Sequence, residues 1–154
     1  MIKAVLDTNV VVSACWKPGG LEASAVALAA QGAFTLCVSP AIVAEYRDVL
    51  SRKKLANLES RAVPLLAALE KVWISFDASI RTSAAGDEDD NRFLECAFSS
   101  GANFLVTGNL RHYPETFATA RIVNARAFLA ECFAAELQHI DCLISAPSPQ
   151  IIDK

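Results

Sequence analysis

The hydrophobic positions of this chain fall in short runs, each about the length of one structural element and each closed by polar or turn-forming residues. Ile2 to Leu6 is apolar and rich in β-branched residues and stops at Asp7-Thr8-Asn9, which predicts a buried strand followed by a helix. Leu21 to Gln31 is alanine-rich and helical, with Gly32 as its C-terminal cap. Phe34 to Val38 predicts a second buried strand. Ser39 and Pro40 then supply an N-cap and a first-turn proline for a helix through Leu50, whose Ile42, Val43, Tyr46, Val49 and Leu50 form one apolar stripe.

Arg52 to Lys71 reads as helix in two pieces, because Pro64 removes a donor and should begin or kink the second. Val72 to Phe76 is strand three. A polar loop from Ser83 to Asp89 precedes a helix from about Asp90 to Ser100, closed by Gly101, with Phe93, Leu94, Ala97 and Phe98 on its inward face. Phe104 to Thr107 is a fourth strand ended by Gly108-Asn109, and Arg121 to Val123 is a short fifth before a helix from about Ala125 to Leu137. Strands alternating with helices imply a three-layer α/β domain: a central parallel sheet of four to five strands flanked by helices.

With 154 residues, 53% of them hydrophobic, the chain can build one domain with a substantial core and has little left for a second. The expected division is a domain over residues 1–138 and a C-terminal tail over 139–154, where Pro147 and Pro149 leave no clear period. A net charge of −3 argues against broad, nonspecific nucleic-acid binding, though a local basic patch can coexist with it. Cys15, Cys37, Cys96, Cys132 and Cys142 are odd in number and lack metal-type spacing, so free thiols in a reducing, cytoplasmic setting are expected. Met1-Ile2-Lys3 runs straight into the first strand, with no secretory apolar region, and no run approaches the roughly 18 residues of a membrane span.

Four polar positions then stand out at element ends: Asp7, Glu45, the run Asp87 to Asp90, and Asn109. In an open parallel sheet, ligands bind beyond the carboxyl ends of the strands where the strand order reverses, and Asp7 and Asn109 each follow a strand. Glu45 lies between Ile42 and Val49 at the border of its helix's apolar stripe, where an unpaired carboxylate is costly. Four adjacent acids at a helix start exceed what the macrodipole, at about 0.3–1 kcal/mol per charge, can explain. A divalent cation can explain them. Hard Mg²⁺ or Mn²⁺ take carboxylate oxygens and water, and such ions activate water toward phosphodiester bonds while Glu45 orients or deprotonates it. Taken singly, each position also has an ordinary explanation: a helix cap for Asp7, a salt bridge to Arg52 or Arg92 for Glu45, a solvated loop for the acidic run, and a turn for Asn109.

Leu6-Asp7-Thr8-Asn9-Val10-Val11-Val12-Ser13, Ser39-Pro40 leading to Glu45, Asp87 to Ala97, and Leu105-Val106-Thr107-Gly108-Asn109, in this order and spacing, resemble the PIN-domain family. The resemblance is in particular to the branch of toxin components of bacterial toxin–antitoxin pairs, and runs over roughly residues 1–130. It implies a Rossmann-like fold and a Mg²⁺- or Mn²⁺-dependent endoribonuclease that cuts single-stranded RNA, leaving a 3′-hydroxyl and a 5′-phosphate. It also implies a small antitoxin partner and a homodimer. The family's acids fall on Asp7, Glu45 and Asp90, with Asp87 as a further acid and Asn109 as a neutral metal neighbour; Thr8, Asn9, Ser13 and Thr107 match small polar positions that orient the acids or touch phosphate.

One departure concerns the metal. The family's fourth acid follows Thr-Gly, and here that place is Asn109, which removes one negative charge and favours a one-ion or substrate-completed site, with Asp87 or Asp89 as compensating acids. Arg47, Arg52, Lys53, Lys54 and Arg61, with Arg111-His112-Tyr113, supply cations for phosphate, and Tyr113 or Trp16 a surface on which bases can stack; a solvated basic helix end is the plainer reading of Arg52 to Lys54. His112 reads as a surface or turn residue, and His139 as tail or helix end. Two alternatives stay open. A PIN-type binding module with a weakened metal site is motivated by Asn109. A haloacid-dehalogenase-like phosphatase would use Asp7 as nucleophile, but the residue two later is Asn9, which cannot act as the catalytic acid.

Overall fold

Each of these apolar runs contributes a strand or a helix in the computed structural model, which describes residues 1–52 and 57–145. β1 (Lys3–Leu6) turns at Asp7 into α1 (Thr8–Trp16) and α2 (Leu21–Ala30), and β2 (Thr35–Val38) returns parallel to it, pairing Ala4 with Leu36. α3 (Pro40–Leu50) and α4 (Glu59–Glu70) lead to β3 (Ile74–Ser75), and α5 (Glu88–Ser100) to β4 (Phe104–Val106). A hairpin of β5 (Thr116–Phe117) and β6 (Ala120–Val123) precedes α6 (Ala125–Ser145).

The six strands lie in the order β3-β2-β1-β4-β6-β5. The chain steps from β1 outward to β2 and β3 and then crosses back over the sheet to β4, on the other side of β1. Right-handed crossovers put the returning helix on the opposite face, and α5 packs across β1, β2 and β4 while α6 joins α2 and covers β4 and β6. The reversal of direction falls between β1 and β4, whose carboxyl ends carry Asp7 and Thr107.

Local chemistry sets the element ends. Ser39 Oγ accepts the Ile42 N–H at 3.3 Å and opens α3, and Gly101, at φ 65°, takes the left-handed turn that closes α5. The core runs through Leu6, Leu36, Ile42, Tyr46, Leu94, Leu105 and Phe128. Phe128 meets Phe34 edge-on at 4.9 Å and Phe104 at 5.6 Å. Cys15, Cys37 and Cys96 are buried free thiols; burial pushes Cys96 up to about 12, which keeps it unreactive. Among the described residues no helix is long and apolar enough to cross a membrane.

Several boundaries differ from expectation. The sheet has six strands, because β5 adds an antiparallel edge strand to β6, joined through Ala118 at φ 51°. β3 is an exposed two-residue edge strand, since Val72 and Trp73 turn off the end of α4 through bonds to the Leu69 carbonyl. Pro64 lies inside a single α4 and begins no second piece; only one intrahelical bond is lost to it. α5 starts at Glu88, with Asp87 as its cap. α6 runs past Leu137 to Ser145, across the expected boundary at residue 138. Lys53, Lys54 and residues 146–154 lie outside the described residues, as do the side chains of His139 and Cys142.

Candidate active site

Asp7 ends β1 with its N–H on the Val106 carbonyl at 2.9 Å, so the sheet itself sets the direction in which its side chain leaves. It is buried, and three donors hold the carboxylate. Oδ1 accepts the Asn9 N–H at 3.3 Å, which caps α1, and Oδ2 accepts the hydroxyls of Thr107 at 2.9 Å and Tyr113 at 2.8 Å. Thr107 Oγ1 also accepts from Asn9 Nδ2 at 3.3 Å and from the Asn109 N–H at 3.0 Å, while Asn9 Oδ1 accepts the Gly108 N–H at 3.0 Å. Asn9 and Thr107 therefore lash the β4 loop to the start of α1, with Asp7 between them.

Glu45 approaches from α3. Thr8 Oγ1 donates to its Oε2. Burial raises the Glu45 carboxyl above the usual range, and the charges of Asp7, Asp89 and Asp90 push it the same way against the Thr8 bond. Asp90 enters from the first turn of α5, with Oδ2 3.1 Å from His112 Nδ1. Its carboxyl is raised by burial and by Asp7 and Asp87, against the opposing pull of His112. Tyr113 is held strongly neutral by burial and by Asp7 and Asp90, so it remains a hydrogen-bond donor.

Three elements thus bring Asp7, Glu45 and Asp90 into one another's fields at the topological switch. Among the described residues no lysine or arginine forms an ion pair with any of them. Also among these residues, no group of three or more acidic, histidine or cysteine side chains is placed to hold a metal ion. This donor set fits a hard cation that retains much of its water and is held by one or two carboxylates, as Mg²⁺ commonly is.

The sequence profile of the PIN domain matches residues 3–111. The chain belongs to the PIN-domain family. The uncharacterised protein MJ1680 of Methanocaldococcus jannaschii is 34% identical over 112 residues, covering 70% of this chain and 71% of the relative. Among solved structures, VapBC2 from Rickettsia felis bound to a promoter DNA fragment aligns with a TM-score of 0.51 at 18% identity, over 79% of this chain and 98% of that one. DNA-bound VapBC from Salmonella typhimurium aligns with a TM-score of 0.55 at 18% identity, over 81% and 99%. At that identity the two structures share the fold with this PIN domain.

Within the PIN domain the expected site residues divide into three groups. Asp7, Thr8, Asn9, Glu45, Asp90 and Thr107 are joined by hydrogen bonds or by mutual charge. Asp87 is exposed and engaged as the α5 cap, its Oδ1 accepting the Asp89 N–H at 2.8 Å, yet its charge reaches Asp90. Asn109 and Arg111 are exposed on the turn after β4, and half-buried Ser13 lies on α1; none of the three side chains makes a hydrogen bond among the described residues. Arg47 pairs with Glu70 and Arg52 with Asp48, so both are engaged in surface ion pairs.

Tyr113 corrects the expectation of a stacking surface: it is buried and braces Asp7. His112, read as a surface residue, touches Asp90. Local sequence carries no sign of either contact, because both depend on the turn after β4 folding back over the switch.

Proposed function

We propose that this PIN domain is a metal-dependent endoribonuclease acting on single-stranded RNA and serving as the toxin of a toxin–antitoxin pair. The observation that carries the reading is the Asp7, Glu45 and Asp90 trio: three carboxylates from three elements, mutually repelling and without an arginine or lysine partner among the described residues, at the ligand-binding edge of the sheet. Asp7 and Asp90 would hold Mg²⁺ or Mn²⁺, with Asp87 and Asn109 at the margin. The bound ion supplies Lewis acidity toward a phosphoryl oxygen and a water of lowered pKa. Glu45, with its raised carboxyl, accepts a proton at Oε1 or Oε2 while Thr8 fixes its orientation. Tyr113 and Thr107 keep Asp7 aimed by donating to its inner oxygen. Asn109 in place of a fourth acid favours a single ion. A small antitoxin and a second copy of the chain are the expected partners; the fold likeness to VapBC complexes supports the first.

The test is cleavage of an end-labelled single-stranded RNA with Mg²⁺ or Mn²⁺, scoring product ends. Metal-dependent cutting that leaves a 3′-hydroxyl and stops on chelation is expected. A folded protein that cuts no RNA in any divalent ion would replace the nuclease with a metal-weakened binding module.

A second expectation follows from the raised carboxyls. The folded protein holds protons on Glu45 and Asp90 at pH values where the unfolded chain has released them, so their contribution to stability is full at low pH and falls as pH rises above the ordinary carboxylate range. A bound cation reverses this loss. The rise in melting temperature produced by Mn²⁺ should therefore grow as the pH is raised from the ordinary carboxylate range, where both carboxyls still hold protons, to values where they have released them. A rise independent of pH would place the ion away from these two acids.

A further inference from the structure

The carboxyl edge of the sheet does not end at the acids. Outward from β1, Ser39 follows β2, and the backbone after β3 leads through Phe76, bonded to the Val38 carbonyl, to Asp77. Two clefts open beside this edge, the first between α3 and α5 and the second at the ends of β2 and β3. One, of ≈ 350 Å³, is bounded by Glu45, Asp89 and Arg92. The other, of ≈ 280 Å³, is bounded by Ser39, Asp77, Arg81, Arg92 and Glu95. Ala41 and Arg92 line both, so the clefts adjoin at Arg92, and the first reaches the acidic trio at Glu45.

Glu95 is the unexplained group here. It is fully buried, it lies outside the acidic trio, it accepts from Arg81 Nη1 and the Thr82 N–H, each at 3.1 Å, and it pairs with Arg92 Nη1 at 3.2 Å, while Arg92 also pairs with Glu88 at 3.5 Å. A buried carboxylate needs compensation, but one guanidinium and one N–H already provide it. The second guanidinium, Arg81, leaves most of its surface to solvent, with 74% of the side chain exposed at the cleft. The segment carrying it is also fastened along α5. Asn91 takes the Ala85 N–H at 2.8 Å, Glu95 takes Thr82, and Ser99 Oγ takes the Ser79 N–H at 2.9 Å, at successive four-residue steps of the helix. An exposed arginine ordinarily loses about 2 kcal/mol of side-chain entropy when it is fixed in place. Arg81 is held before any ligand arrives.

We propose that Arg81, held by Glu95 as a positioning residue and with Arg92 beside it, forms a phosphate-binding station for the RNA strand adjacent to the cut. The proposal rests on the nuclease reading above. It extends the substrate path from the acidic trio along the sheet edge toward β3.

The measurement is the salt dependence of single-stranded RNA binding, by anisotropy of a labelled oligoribonucleotide in Mg²⁺, with Asp7→Asn in every protein to prevent turnover. Arg81→Ala should weaken binding and reduce the slope of log K against log [salt] by about 0.7, the share of one phosphate on a single strand. Arg81→Lys should restore the slope. In Glu95→Gln the effect of Arg81→Ala should shrink, because the guanidinium is no longer held; strict additivity would remove Glu95 from the role. Tight binding by the Asp7→Asn parent with an unchanged slope in Arg81→Ala overturns the station while leaving the nuclease standing. No binding by that parent overturns the station, while cleavage by the unsubstituted protein decides the nuclease reading separately. Arg81 is exposed, so its variants should fold whatever becomes of Glu95→Gln.

Discussion

Asp7→Asn is expected to lower RNA cleavage by at least about 10²-fold without unfolding the protein. The substitution separates charge from shape. Asparagine caps a helix as well as aspartate does, so the α1 N-cap survives, and its amide oxygen can still accept from Thr107 or Tyr113. What is lost is one negative charge at the point where the trio would hold a cation. Single-turnover rates with saturating Mn²⁺, beside a thermal melt of the same preparation, check this. A rate near that of the unsubstituted protein would show that the chemistry lies elsewhere, whatever the fate of Glu45 and Asp90.

The second large effect is on stability. Phe128→Ala should cost about 3–5 kcal/mol, a large fraction of the roughly 5–15 kcal/mol that holds a domain together. Phe128 is fully buried near the start of α6 and meets Phe34 and Phe104 edge-on, so its removal leaves a cavity bounded by rigid rings and by the sheet beneath. Urea unfolding with a shifted midpoint and an unchanged slope would report it. A shift worth less than about 1 kcal/mol would mean that α6 is not packed on β4 and β6 as described. Phe128 touches none of the acids, so the folded fraction should cut RNA at the normal rate.

The elements and their order were legible in the sequence because each depends on local chemistry. The runs at Lys3–Leu6, Thr35–Val38 and Phe104–Val106 are short, apolar and bounded by polar residues, and burial on both faces of a parallel sheet demands that composition. Ser39-Pro40 and Gly101 announce helix ends because capping is a matter of one side chain or one backbone angle. The β5–β6 hairpin was hidden for the converse reason: its turn is Ala118-Thr119 rather than a glycine or asparagine pair, and its first strand has only two residues. Likewise the end of α6 could not be read from Ala125–Leu137, since helical composition continues beyond it.

The candidate site divides along the same line. Asp7, Glu45 and Asp90 were visible as carboxylates at element ends, where water-seeking groups beside a core need a reason to be there. That they face one another depends on β4 crossing back beside β1 and on α3 and α5 converging at that edge, which involves contacts between residues as many as 106 positions apart. Tyr113 as the brace of Asp7, His112 beside Asp90, and Glu95 gripping Arg81 and Arg92 belong wholly to that second level. The sequence by itself determined the order of the elements, their caps and which residues carry charge, because those properties follow from a side chain and its near neighbours; burial was less local, since Phe98, expected on the inward face of α5, is exposed and Tyr113, expected at the surface, is buried. Only the tertiary structure decided which charges meet, because a partner across the sheet is chosen by strand order and crossover hand, and neither is written in any local run of residues.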